Sequence, residues 1–152
     1  MTNSIYLQAK EIQRLAGGIL QNKENNPFTD VEEWKDVQNQ LAIGINYLIQ
    51  QEGSTPDEEG EAVLAILMGY TIAVRNRKNI GKAMLRAQEV LPKITDPVLK
   101  CRLTVFCYGE CYDEELAQTA HQLIEKQKEG GRDPQLAALE ELLLCMEESY
   151  VG

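Results

Sequence analysis

The chain has 152 residues, of which 43% are hydrophobic and 26% are charged, so it can fold around a core of its own. Its net charge of −9 argues against general binding to nucleic acid, which needs many cationic side chains. The N-terminus shows no signal-peptide pattern, and the longest apolar run, Ala62 to Val74, is too short to cross a bilayer. We therefore expect a cytoplasmic protein with no membrane partner.

Charge is unevenly distributed along the chain. Residues 75–102 hold eight bases and two acids, a net charge of +6. Residues 1–74 hold four bases and eleven acids, and residues 103–152 hold three bases and eleven acids. A basic middle therefore lies between two acidic flanks.

Apolar residues recur at spacings of three and four, and no window alternates as a half-buried strand would. The pattern predicts an all-α protein, with residues 1–152 forming a single-domain bundle or short irregular array of about six to seven helices. The first helix is predicted from Asn3 to Gln21. The second is predicted to begin at Thr29, where Thr29 and Glu32 form an S/T-x-x-E capping box.

The third helix has the clearest start in the sequence. Thr55 is predicted to cap it, Pro56 to take its first position and Glu58 to complete the capping box. The apolar run from Ala62 to Val74 follows, and a helix that is apolar on nearly every side is buried among several neighbours. We expect this helix to be the central one.

Four more helices are predicted after the polar loop NRKN. The fourth is predicted from Ile80 to Lys93, and the fifth from the pair Asp96 and Pro97. Gly109, near the end of the fifth, is predicted to adopt the left-handed conformation that commonly stops a helix.

The last two helices follow the same start signals. The sixth is predicted from Asp113 to Lys128, and the seventh from the pair Asp133 and Pro134.

The segment CYGECYDEEL, residues 107–116, resembles a reactive site. A zinc site would use Cys107 and Cys111 with His121 or Cys101 as further ligands. These cysteines lie on an apolar helix and its end, so core packing is the favoured interpretation. A cysteine nucleophile paired with His121 is another alternative. The favoured interpretation of His121 is a histidine on the surface or boundary of a helix.

The carboxylates of the same segment have a structural explanation. Asp113, Glu114 and Glu115 occupy the first turn of a predicted helix, where the helix dipole favours negative charge. The sequence contains no glycine-rich phosphate loop, G-x-S-x-G elbow or H-E-x-x-H motif. We therefore expect no enzymatic activity, no cofactor and no metal.

The segment RNRKNIGKAMLR, residues 75–86, is the one strongly basic stretch. Its bases are Arg75, Arg77, Lys78, Lys82 and Arg86. A helix-turn-helix protein would place such a segment against phosphates, but the acidic flanks favour a solvated surface. A nucleic-acid-binding helical regulator is therefore the alternative hypothesis, and we do not expect direct nucleic-acid binding.

Two segments carry a family resemblance. GSTPDEEGEAVLAILMGYTIAVRNRKN, residues 53–79, and VLPKITDPVLKCRLTVFCYGECYDEELAQTAHQLIE, residues 90–125, resemble the UpxZ family, small proteins encoded at capsular polysaccharide loci of gut bacteria. The most specific parts are STPDEE with LAILMGY, and CYGE with EELAQTAH. The family-like core therefore spans about residues 53–125.

The resemblance implies a regulatory protein without catalysis. UpxZ-like proteins antagonise the NusG-like antitermination factors, UpxY, made by other capsule loci of the same cell, so that one locus tends to be transcribed at a time. The implied partner is thus a UpxY-type factor, bound through protein–protein contacts. Whether the chain also forms a homo-oligomer stays open.

Two surfaces are candidates for that contact. Binding hot spots favour aromatic side chains, which directs attention to Tyr108 and Tyr112, with Glu110, Glu114 and Glu115 as a polar rim. We call these five residues the junction. The other candidate is the basic segment, residues 75–86.

Overall fold

The computed structural model describes residues 4–21, 31–129 and 134–151. These residues form seven helices and one 3-10 turn: α1 (Ser4–Gln21), α2 (Val31–Ile49), α3 (Pro56–Gly69), α4 (Arg77–Val90), the 3-10 turn (Leu91–Lys93), α5 (Pro97–Cys111), α6 (Glu114–Glu129) and α7 (Pro134–Val151). The predicted all-α fold with six to seven helices is confirmed. Thr29 and Asp133, the predicted caps of α2 and α7, lie outside the described residues.

Helix α3 lies at the centre of the main core, as predicted. It is buried without interruption from Gly60 to its end and packs against α1, α2, α4 and α5. A second apolar cluster lies between α5, α6 and α7, with Val105, Ile124 and Leu143 among its fully buried residues. Because α5 contributes to both clusters, it joins α6 and α7 to the main core.

The start of α3 follows from local sequence. Thr55 Oγ1 accepts from the backbone N–H of Glu58 at 3.1 Å, and Pro56 takes the first turn. The reciprocal bond differs from the prediction, since Glu58 Oε1 accepts from the N–H of Ser54 at 2.8 Å, one residue before the cap. Glu58 therefore fixes Ser54, a residue of the preceding loop, where the capping box would have fixed Thr55.

The apolar run to Val74 does not continue as one helix, contrary to expectation. Helix α3 ends at Gly69, and the N–H of Ile72 bonds to the carbonyl of Gly69 at 3.1 Å. The carbonyl of Met68, which would accept that N–H in a helix, accepts from the Thr71 hydroxyl at 2.6 Å instead. Local bonding by a threonine side chain thus competes with the helical pattern.

The bounds of α4 also differ from the prediction. The loop NRKN is mostly helical, because Asn76 Oδ1 accepts from the N–H of Asn79 at 3.0 Å and caps the helix. Helix α4 therefore begins at Arg77, three residues before the predicted start. At the other end Pro92 has no N–H to bond to the carbonyl of Gln88, although Leu91 before it keeps helical backbone angles, φ −49° and ψ −47°. The α-helix therefore stops at Val90 and tightens into the 3-10 turn.

The end of α5 also differs from the prediction. Gly109 lies inside α5, and the residue with a left-handed backbone is Tyr112, at φ 54° and ψ 34°. A Cβ on Gly109 would lie 2.9 Å from the terminal carbon of Met146 on α7. Gly109 therefore allows α7 to approach α5 closely, which is a tertiary cause that local sequence does not contain. The predicted cap of α5, Asp96, is confirmed by its bonds to the N–H groups of the first turn.

The helices within 4–21, 31–129 and 134–151 include none with the length and apolar character needed to span a bilayer.

Candidate partner-binding surface

The two junction tyrosines occupy different environments. Tyr108 is 3% exposed, so it is not available as a contact residue, contrary to the expectation from sequence. Tyr112 is half-buried, and its ring meets that of Tyr108 edge to face with the centroids 5.4 Å apart. Tyr108 therefore supports Tyr112 from below, and Tyr112 is the aromatic that the junction offers to a partner.

Asp113, Glu114 and Glu115 lie at the start of α6, as predicted. Asp113 Oδ1 accepts from the N–H of Glu115 at 3.0 Å, and the Asp113 carbonyl accepts from Leu116 at 3.0 Å. Glu114 and Glu115 are exposed in the first turn. Their carboxylates are thus favoured by the helix dipole and remain accessible from solvent.

An ion pair joins the two candidate surfaces. Arg75, from the turn before α4, contacts the carboxylate of Glu110 on α5. The Glu110 side chain is 11% exposed in this pair. The junction and the basic segment therefore meet at Arg75 and Glu110, and neither of these two side chains is an isolated surface charge.

The basic segment divides into surface and structural residues. Arg77, Lys78 and Lys82 are exposed and form no ion pair within the described part of the chain. Arg86 is different: it forms a two-pronged ion pair with Glu59, both N···O distances being 2.7 Å. The prediction that Arg86 belongs to an exposed basic surface is therefore wrong.

Arg86 also binds backbone carbonyl groups at the end of α2 and just beyond it. Its guanidinium donates to the carbonyls of Leu48 at 3.0 Å and Gln51 at 2.9 Å. Glu59, its ion-pair partner, accepts from the N–H of Gly53 at 3.0 Å. We call Leu48, Gln51, Gly53, Glu59 and Arg86 the α2–α3 corner, because together they fix how the chain turns from α2 into α3.

Two of the four cysteines are buried and two are exposed. Cys101 and Cys107 are buried, and burial raises the pKa of the Cys107 thiol to about 12, so that it stays protonated at neutral pH. Cys111 and Cys145 are exposed, so core packing does not account for them. Throughout the part of the chain that the structure describes, no three His, Cys, Asp or Glu side chains are grouped to hold a metal.

His121 lies in the middle of α6, half-buried against α7. Its Nε2 is 2.6 Å from a carboxylate oxygen of Glu147 on α7. The partner of His121 in the structure is therefore a carboxylate that ties α6 to α7, where the nucleophile alternative would have required a thiol.

A buried polar group between α1, α3 and α5 was not found from sequence. Gln13 donates to the backbone carbonyl of Glu61 at 3.0 Å and accepts from Arg102 at 3.2 Å. The Glu61 side chain forms an ion pair with Lys10. The one sequence signal is an acid, Glu61, at the start of an apolar run, and nothing local indicates that its partner comes from α1.

The comparisons with known proteins agree with this architecture. A crystal structure of a transcription anti-terminator antagonist UpxZ from Bacteroides uniformis matches with a TM-score of 0.82 and 28% sequence identity, covering 96% of this chain and 94% of that one. No curated protein sequence matches the chain. Residues 9–109, which run from α1 into the last turn of α5, match the UpxZ family. The match covers more than half of the 152 residues, and the chain belongs to the UpxZ family of transcription anti-terminator antagonists.

Proposed function

We propose that this protein binds a NusG-like antitermination factor of the UpxY type and prevents it from acting on RNA polymerase. The observation that carries the proposal is the family match over residues 9–109, since the family is one of transcription anti-terminator antagonists. In this proposal the protein is a regulator without catalysis that works in the cytoplasm, where transcription takes place. The factor is one encoded at another capsular polysaccharide locus of the same cell.

Charge supports binding to a protein partner. A chain with net charge −9 and exposed carboxylates on α6 presents a complementary surface to a basic factor. Complementary charge raises the association rate and disfavours partners of the wrong charge. The proposal therefore predicts binding that weakens as ionic strength rises.

At the junction we propose Tyr112, Glu114 and Glu115 as contact residues. Tyr112 is held from below by Tyr108, and a supported aromatic beside accessible charges suits a binding hot spot. The exposed bases of the basic segment, Arg77, Lys78 and Lys82, form the competing surface.

Charge reversal separates the two surfaces. Replacing Glu114→Lys together with Glu115→Lys is expected to weaken binding to the UpxY-type factor by at least about tenfold, because like charges then face the partner. The matched double variant, Lys78→Glu with Lys82→Glu, is expected to change the affinity by less than about twofold. Isothermal titration calorimetry at low salt measures both values, and all four side chains are exposed, so both variants should fold.

The opposite ranking would move the contact to the basic segment. The alternative hypothesis predicts a gel shift with nucleic acid that falls steeply with salt. If such a shift is seen, and the variant Lys78→Glu with Lys82→Glu abolishes it, the nucleic-acid hypothesis replaces the protein-binding one.

A further inference from the structure

An acidic pocket of about 470 Å³ opens where the first turns of α3 and α5 approach α1. Its lining contains four acids, Asp57, Glu58, Glu61 and Asp96, and one base, Lys10. The lining side chains therefore carry a net charge of −3. The positive ends of the two helices offset about half a unit each, so about two negative charges stay uncompensated.

One carboxylate in this pocket is buried and poorly satisfied. Glu61 is 6% exposed, and its Oε2 contacts the Lys10 ammonium without accepting a well-directed hydrogen bond from any described residue. Buried carboxylate oxygens normally accept hydrogen bonds, because desolvation without them is costly. Glu61 therefore has capacity for a donor beyond Lys10.

The pocket already contains a cation of the protein itself, the Lys10 ammonium. The Lys10 ammonium lies 5.4 Å from the centre of the Tyr6 ring and beside Glu61. A ring face together with carboxylates is a chemistry that recognises ammonium and guanidinium groups. The Lys10 side chain is 40% exposed on a flexible stem, so it can move toward solvent and leave the carboxylates to another cation.

We propose that this pocket receives an arginine side chain of the partner, with Lys10 as an internal cation that competes for the same carboxylates. The proposal rests on the proposed function, because the arginine belongs to the antitermination factor. Arginine fits better than lysine, since its planar guanidinium can bond two carboxylates at once and is more easily desolvated. The pocket lies at the opposite end of α5 from the junction, about 22 Å away for a helix of 15 residues, so it is a separate point of contact.

Two isosteric substitutions remove charge from the pocket and keep most of its hydrogen bonds. Glu58→Gln retains the Oε1 that accepts from Ser54, and Asp57→Asn retains the Oδ1 that accepts from the N–H of Thr95 at 2.7 Å. Asp57→Asn loses the Oδ2 that accepts from the Thr95 hydroxyl, so its fold is checked by circular dichroism before binding is measured. The double variant is expected to bind the UpxY-type factor about tenfold more weakly by calorimetry. The control Glu89→Gln removes one exposed charge from α4, outside the pocket, and is expected to change the affinity by less than about twofold.

The outcomes distinguish this inference from the proposed function. If the wild-type chain does not bind the factor at all, both are overturned. If the wild-type chain binds and the double variant binds equally well, the pocket proposal alone is overturned.

A small probe tests the pocket without the factor. N-acetyl-L-arginine amide is expected to shift the backbone NMR signals of Tyr6 and Glu61 in a saturable way, and the neutral citrulline analogue is not. Lys10→Gln is expected to tighten binding of the arginine probe several-fold, because it removes the competing cation. If Lys10→Gln does not fold, the double variant Asp57→Asn with Glu58→Gln takes its place. That double variant is expected to weaken binding of the arginine probe. Equal shifts with both probes would contradict the proposal.

Discussion

Replacing Arg86 by methionine is expected to lower the free energy of unfolding by about 2–4 kcal/mol. The substitution keeps an apolar stem and leaves the Glu59 carboxylate without its cation. It also removes the donors to the carbonyls of Leu48 and Gln51. Breaking a buried pair by removing one partner costs about 3–5 kcal/mol, and the value here is lower because the two side chains are 18% and 15% exposed.

Urea unfolding followed by circular dichroism measures this loss. Lys82→Met on the same helix is the matched control, because Lys82 is exposed and outside the α2–α3 corner. Its expected effect lies within about 0.5 kcal/mol. Equal effects of the two substitutions would show that Arg86 is a surface base after all.

The same ion pair predicts a pH dependence. Burial raises the pKa of Glu59, but hydrogen bonds from Arg86 and Gly53 outweigh it and hold the pKa below the ordinary value of 4.5. Because the folded-state pKa is the lower one, the stabilisation is present above the unfolded-state pKa and is lost as pH falls through the folded-state pKa. The stability gap between the wild-type chain and Arg86→Met should therefore narrow below pH 4.5.

Gly53→Ala is expected to destabilise the protein by more than about 2 kcal/mol. A Cβ on Gly53 would lie 2.4 Å from the backbone nitrogen of Glu59 and 2.6 Å from its Cα. Backbone atoms cannot move aside as a flexible side chain can, so the loop must shift. That shift would also break the bond from the Gly53 N–H to Glu59.

Gly81→Ala is the matched control for the glycine substitution. Gly81 is exposed inside α4, and a Cβ there would meet nothing within 4 Å. Alanine is therefore expected to stabilise the protein by about 0.5–1 kcal/mol. Thermal unfolding of the two variants beside the wild-type chain measures the contrast, and loss of stability in both would contradict the steric explanation for Gly53.

Local signals explain why much of the fold could be predicted. Thr55 with Pro56 and Asp96 with Pro97 start α3 and α5 through bonds within four residues, so the sequence contains the whole cause. Asn76 belongs to the same class, and its cap could have been recognised from the sequence.

Tertiary contacts explain the failures. Gly109 resembles a helix stop, but its reason for being glycine is Met146 on another helix. Arg86 resembles one more base in a basic segment, but its partners come from α2 and α3. Likewise the acidic pocket brings together residues from α1, α3 and α5 that no motif connects.

Terminator readthrough in a purified transcription reaction tests the central claim most directly. The reaction contains RNA polymerase, a capsule-locus leader template and a UpxY-type factor from another locus. Adding the wild-type chain is expected to return readthrough to the level seen without the factor. Unchanged readthrough at a saturating concentration of folded protein, with the factor active, would contradict the proposed antagonism.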